Sequence, residues 1–196
     1  MTKKLGKLEK VAIRDVWPNE ASHFTPWLAS EENIQLLSEE INMDLEVQSF
    51  EEKVGPFRAD ILCRETSASY DHFVLIENQF GKTDHTHLGQ LMTYASGLNA
   101  VTIIWIAEKF TEEHRSALDW LNRITDESVD FFGIEIELYR IGDSLPAPMF
   151  HVVSMPNNWS KTIKRNTDQS GVTDVKKLQQ EYWQALKDQV ENTQCS

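Results

Sequence analysis

The sequence predicts an α/β fold: a mixed central sheet, antiparallel at a hairpin and parallel through a crossover, flanked by helices. Three features carry that expectation. FRADILCR and HFVLIENQF are apolar and β-branched runs joined by the polar stretch ETSASYD, the pattern of a hairpin. Leu88, Leu91, Met92, Ala95 and Leu98 then recur at helical spacing. VTIIWIA follows, apolar throughout, as a strand buried on both faces does.

The remaining elements fall into place along the chain. Residues 1–13 hold Lys3, Lys4, Lys7 and Lys10 and read as a solvated basic tail. Asn19 can cap a helical segment, and EENIQLLSEEI repeats Ile34, Leu37 and Ile41 at three and four residues. DLEVQSFEEKVG alternates as a first strand and stops at Gly55-Pro56. After the hairpin, Thr83 or Asp84 can cap the helix that runs to about Leu98. TEEHRSALDWLNRI is a further helix with two acids in its first turn, DFFGIEIELYRI a long strand and MFHVVS a shorter one. One domain over 14–160 is expected, followed by a linker and helix over 161–196. Trp105, Trp120, Phe131 and Phe132 read as core, whereas His114 and Arg115 read as a solvated helix face.

The 196 residues suffice for one core and not for two ordinary domains with a linker. With 40% hydrophobic and 26% charged residues, neither disorder nor a fibrous architecture is suggested. No apolar run reaches the roughly 18 residues of a membrane span, and MTKKLGKLEK lacks a signal-peptide core, so a cytoplasmic protein without a membrane partner is expected. Cys63 and Cys195 read as free thiols, Cys63 buried. The formal charge of −12 argues against indiscriminate binding to nucleic acid, but a cation held by carboxylates inverts such a field locally. The glycines form neither a phosphate-binding loop nor a dinucleotide fingerprint.

The chemistry concentrates in the hairpin. If its turn is centred between Ala68 and Ser69, Asp60 lies opposite Glu77, with Cβ atoms about 4.5–5.5 Å apart. Gln79 shares the face of Glu77, and Asn78 points away. Two acids among apolar neighbours raise each other's pKa unless a cation compensates, and Mg²⁺, with Mn²⁺ as its substitute, suits oxygen ligands of this kind. On the next helix His87, Gln90 and Tyr94 form one stripe whose polar groups can reach the strand ends. Asp84, His85 and His87 could instead make a transition-metal set, but histidines two apart at a helix start do not share a face.

GPFRADIL, IENQ and GQLMTYA resemble the PD-(D/E)XK nuclease superfamily, and the pattern from WPNEASHFTPWL through EHRSALDWLN and RIGDS to PNNW is similar to a bacterial family within it, over roughly Arg14 to Trp159. The resemblance implies a restriction-endonuclease-like fold and Mg²⁺-dependent hydrolysis of DNA, or alternatively RNA. Asp60 and Glu77 match the motif acids of a D…ExQ pattern, Gln79 stands at the usual lysine, and Gln90 with Tyr94 match a QxxxY helix motif. It also implies a further acid from an N-terminal helix, for which Glu20 is the candidate, and a backbone carbonyl near Asn78 as another ligand. Lys82 could replace the missing lysine charge, and His87 could contact phosphate. A homodimer is left open. The departure at Gln79 favours a rival: a nuclease-fold protein that no longer cuts and serves as a nucleic-acid-binding or protein-interaction module.

Overall fold

The computed structural model describes residues 5–54, 57–66, 72–98, 102–125 and 129–156. The expected hairpin turn within ETSASYD, the linker and helix over 161–196, Trp159 and Cys195 lie outside them. In chain order come β1 (Leu8–Val11), α1 (Ile13–Val16), a π-helical turn (Glu20–Phe24), α2 (Thr25–Leu28), α3 (Glu31–Ile41), β2 (Leu45–Val54), β3 (Phe57–Glu65) and β4 (Phe73–Lys82). They are followed by α4 (His85–Leu98), β5 (Thr102–Lys109), α5 (Glu112–Ile124), β6 (Asp130–Ile141) and β7 (Ala147–Ser154).

The strands form one mixed sheet in the order β1-β6-β5-β4-β3-β2, with β7 also on β6. β2, β3 and β4 are antiparallel, and β4, β5 and β6 are parallel. Helices flank the sheet, as the sequence predicts. Gly133 to Glu135 pair with both β5 and β7, and Leu138 and Tyr139 with both β1 and β7. β1 and β5 therefore share one edge of β6 end to end. Part of the expected tail is thus a strand, and Lys10 is held by the Glu137 carboxylate. A short, mostly exposed strand carries no apolar alternation, and its partner lies far along the chain.

Both faces of the central strands are covered. Leu75, Ile103, Trp105, Ala107 and Phe131 pack with Leu91 and Tyr94 of α4 and Leu118 and Leu121 of α5. Burial of such side chains is worth about 1.5–3 kcal/mol each, which is what seats these helices. Gly133 permits the approach of α5, because a Cβ there would lie 3.0 Å from Leu118 and 3.1 Å from Phe110. On the opposite face the Asn78 amide donates to Thr25 Oγ1 of α2 at 3.0 Å, and the Phe80 ring lies 5.5 Å from Phe24 of the π-helical turn. Asn19 caps that turn, its Oδ1 accepting the Ser22 N–H at 2.9 Å.

Two expectations about α5 are corrected. Its buried stripe is His114, Leu118 and Leu121, so His114 is interior, while Trp120 is 52% exposed. Trp105, Phe131 and Phe132 are core. Cys63 is fully buried, and burial pushes its thiol up to about 12, which makes it inert.

Candidate active site

The β3–β4 ladder runs from Arg64 opposite Phe73 to Ile61 opposite Ile76 in a single register. Continued by one step, that register would oppose Asp60 to Glu77. Asp60 Oδ2 accepts the Asn78 N–H at 2.7 Å, which fixes the carboxylate beside the Glu77–Asn78 peptide. Glu77 is buried and stands in register with Trp105 of β5. Asn78 is also buried and holds the opposite helical layer, as strand alternation requires.

Gln79 is buried, and both of its amide hydrogens are engaged. Nε2 donates to the Lys82 carbonyl at 2.9 Å and to Asp84 Oδ2 at 2.8 Å. Its Oε1 is buried and accepts no hydrogen bond. The donor expected to stand in for lysine therefore shapes the loop instead, and the group left over is an acceptor. That loop exists because β4 gains one residue against β5 between Gln79 and Lys82, with Gly81 at φ 90° supplying the turn. The bulge sets Lys82 in register with Lys109 and so returns it to the face of Gln79, with its side chain exposed.

Glu20 opens the π-helical turn, and its carboxylate accepts the Phe80 N–H. Burial raises its carboxyl above the ordinary value, against the opposing pull of that N–H, His87 and Arg14. His87 is half-buried, with both its N–H and its ring Nδ1 2.9 Å from Asp84 Oδ1. Gln90 is half-buried, its Oε1 without a hydrogen bond, and Tyr94 belongs to the core cluster.

The sequence reading named Asp84 as a helix cap but missed its bond to Gln79, and it missed Arg14 and Glu108 altogether. Asp84 joins Gln79 to His87. Arg14 lies 5.3 Å above the Phe80 ring and acts on Glu20, as does Glu108 at the end of β5. Glu108 Oε1 is buried and accepts no hydrogen bond, and it lines a cavity of about 410 Å³ with Lys10, Arg14 and Ile136. Even-numbered alternation along β5 was the available signal for Glu108; Arg14 gave none.

Among the described residues no three His, Cys, Asp or Glu side chains are gathered as a metal site. Asp60, Glu77 and Glu20 are thus not brought together as three ligands, since backbone N–H groups of β4 hold Asp60 and Glu20 separately. The Asp60–Glu77 pair alone still suits a hard cation, because Mg²⁺ is commonly held by one or two carboxylates with water and phosphate completing the shell. The buried acceptor on Gln79 adds an oxygen of the right chemistry on the same face.

No family model matches the sequence, and no curated protein is similar enough to match. Among solved structures, a repair endonuclease from Pyrococcus abyssi overlaps 46% of this chain and 43% of its own, at 20% identity and a TM-score of 0.37. An EndoMS–dsDNA complex overlaps 55% and 45%, at 18% and 0.37. SfsA from Pyrococcus furiosus in complex with Ca²⁺ overlaps 65% and 59%, at 14% and 0.35. The chain therefore spans less than two thirds of each of these proteins.

Proposed function

We propose that the chain is a divalent-metal-dependent nuclease acting on DNA, with RNA as the alternative substrate. The observation that carries this reading is the single β3–β4 register ending at Ile61 and Ile76, whose continuation would oppose Asp60 to Glu77, with Gln79 two residues on in β4 near the carboxyl ends of parallel β4 and β5. Asp60 and Glu77 would hold Mg²⁺ or Mn²⁺, with the Asn78 carbonyl and water as further oxygen donors, while Glu20, held apart by the Phe80 N–H, stays outside the shell. A bound ion of this kind polarises a phosphate and makes a coordinated water acidic. Gln79 Oε1 accepts a hydrogen bond from the attacking water and orients it. Gln90, Lys82 and His87 meet the substrate, Lys82 through its charge, while buried Tyr94 positions the helix that carries Gln90. The test is cleavage of single- and double-stranded DNA and RNA with Mg²⁺, Mn²⁺ or EDTA. Activity should require the metal, and Glu77→Ala should abolish it.

A second reading, a nuclease-fold binding module that does not cut, is favoured by one observation. Both hydrogens of the Gln79 amide are spent on Lys82 and Asp84, so the side chain at the usual lysine position offers the substrate no donor. If the natural chain binds Mn²⁺ but cuts nothing, and Gln79→Lys gains cleavage, this second reading holds.

A further inference from the structure

Two imidazoles from different helices meet outside the carboxylate site. His85 opens α4 and is exposed, and His114 sits in the first turn of α5 and is buried. His114 Nε2 lies 3.0 Å from His85 Nδ1, with the rings edge to face and their centroids 4.9 Å apart. The other nitrogen of His114, Nδ1, is 2.8 Å from Thr83 Oγ1 and 3.0 Å from Thr111 Oγ1. Only one proton fits between the two facing nitrogens. With His114 Nδ1–H donating to Thr83, its Nε2 presents a lone pair toward His85. Transfer of the His85 proton from Nδ1 to its own Nε2 then leaves a second lone pair on the facing nitrogen, with both rings still neutral, and a rotation of the exposed His85 ring would turn the two lone pairs toward a shared ion.

A hydrogen-bond acceptor on the far nitrogen fixes the tautomer and orientation of a metal-ligating histidine, and the Thr83 hydroxyl can fill that role here. The spacing fits as well: Zn–N bonds of about 2.0–2.1 Å in tetrahedral geometry place two nitrogens roughly 3.3–3.4 Å apart, a few tenths of an ångström from the separation found here. Glu113, exposed and adjacent to His114, can close the chelate. Since no three such side chains are gathered among the described residues, the preformed part is the imidazole pair, completed by Glu113 or water.

We propose that His85 and His114 form a zinc-type site, distinct from the Asp60–Glu77 carboxylates, that clamps the first turns of α4 and α5 together. It goes beyond the hydrolytic reading and does not depend on it. His87, the nearer histidine in sequence, is tied to Asp84 and takes no part.

The full, untagged chain is titrated with Co²⁺ as a spectroscopic probe and with Zn²⁺ during thermal unfolding. The expected result is a visible d–d absorption band that Zn²⁺ displaces, together with a rise in Tm on adding Zn²⁺. His85→Ala, at an exposed position where folding should survive, should weaken binding at least tenfold, and His151→Ala should not. Thr83→Val should weaken it by about 10- to 100-fold, the usual cost of losing outer-shell support. Absence of the band and of the Tm shift in the natural chain would show the pair to be a structural hydrogen bond only. A band that survives His85→Ala but disappears in Asp60→Asn would assign the metal to the carboxylates and overturn the proposal.

Discussion

The two helices that follow β4 and β5 start in the same way and diverge in one atom type. At α4, Asp84 accepts the His87 N–H and meets the His87 ring; at α5, Thr111 accepts the His114 N–H at 3.3 Å and meets the His114 ring. Each is a side-chain cap folded back by the histidine three residues on. A carboxylate caps the first and a hydroxyl the second. Although burial works the other way, the N–H and ring of His87 hold the Asp84 carboxyl below its ordinary value. Among the described residues no carboxylate is bonded to His114, and burial followed by the field of His85 lowers its pKa against the opposing pull of Asp84 and Glu113. The carboxylate-capped start also holds Gln79, whereas the hydroxyl-capped start faces His85 and Trp105. The same local geometry thus carries two different caps with different neighbours.

The largest effect should come from what the first start holds. Gln79→Ala removes a buried acceptor two residues from Glu77 and should slow metal-dependent cleavage by about 10² to 10³ or less, leaving a measurable rate. Single-turnover kinetics check this. If the rate is unchanged, Gln79 is only a loop fastener.

Removing each cap should separate the two starts. Asp84→Ala and Thr111→Val should each cost about 1 kcal/mol in urea unfolding, the ordinary worth of a cap. Only Asp84→Ala should also reduce cleavage, because it frees the Gln79 amide. Equal losses of activity would erase the distinction.

The smallest effect is a pH dependence with a definite sign. A histidine held below its ordinary value of 6.5 takes up its proton on unfolding before it does so in the fold. The unfolded chain then binds more protons, so stability falls as pH drops from about 6.5 toward the folded value. His114→Gln should flatten that slope. Asp84, depressed from 3.8, loses its contribution only as pH falls through its lower folded value. Urea midpoints measured between pH 7 and 3 should show two separate windows.

Those contrasts also mark how far the sequence could be read. The β3–β4 register, Ile61 opposite Ile76 through Arg64 opposite Phe73, was legible because hairpin register is local arithmetic between two adjacent apolar runs. β4, β5, α5 and β6 were legible because their periodicities are long and uninterrupted. The pairing of His85 with His114 was not, since it depends on how two helix starts are set side by side by the parallel register of β4 and β5. His114 looked solvated because its neighbours are Glu112, Glu113 and Arg115, and only the packing of α5 turns it inward. The engagement of the Gln79 amide was hidden for a related reason: it requires the bulge at Gly81 to bring Lys82 and Asp84 back toward the strand.

The central claim is that Asp60 and Glu77 hold one hard cation, and Mn²⁺ titration followed by electron paramagnetic resonance of the unbound ion tests it most directly. Mn²⁺ prefers carboxylate oxygen over imidazole, so the signal reports this site rather than the histidine pair. The natural chain should take up Mn²⁺ at one site in the micromolar-to-millimolar range, and Asp60→Asn and Glu77→Gln should each weaken uptake at least tenfold, while His85→Ala leaves it unchanged. A natural chain that binds no Mn²⁺ at millimolar concentration, or both carboxylate variants binding it as well as the natural chain, would contradict the claim.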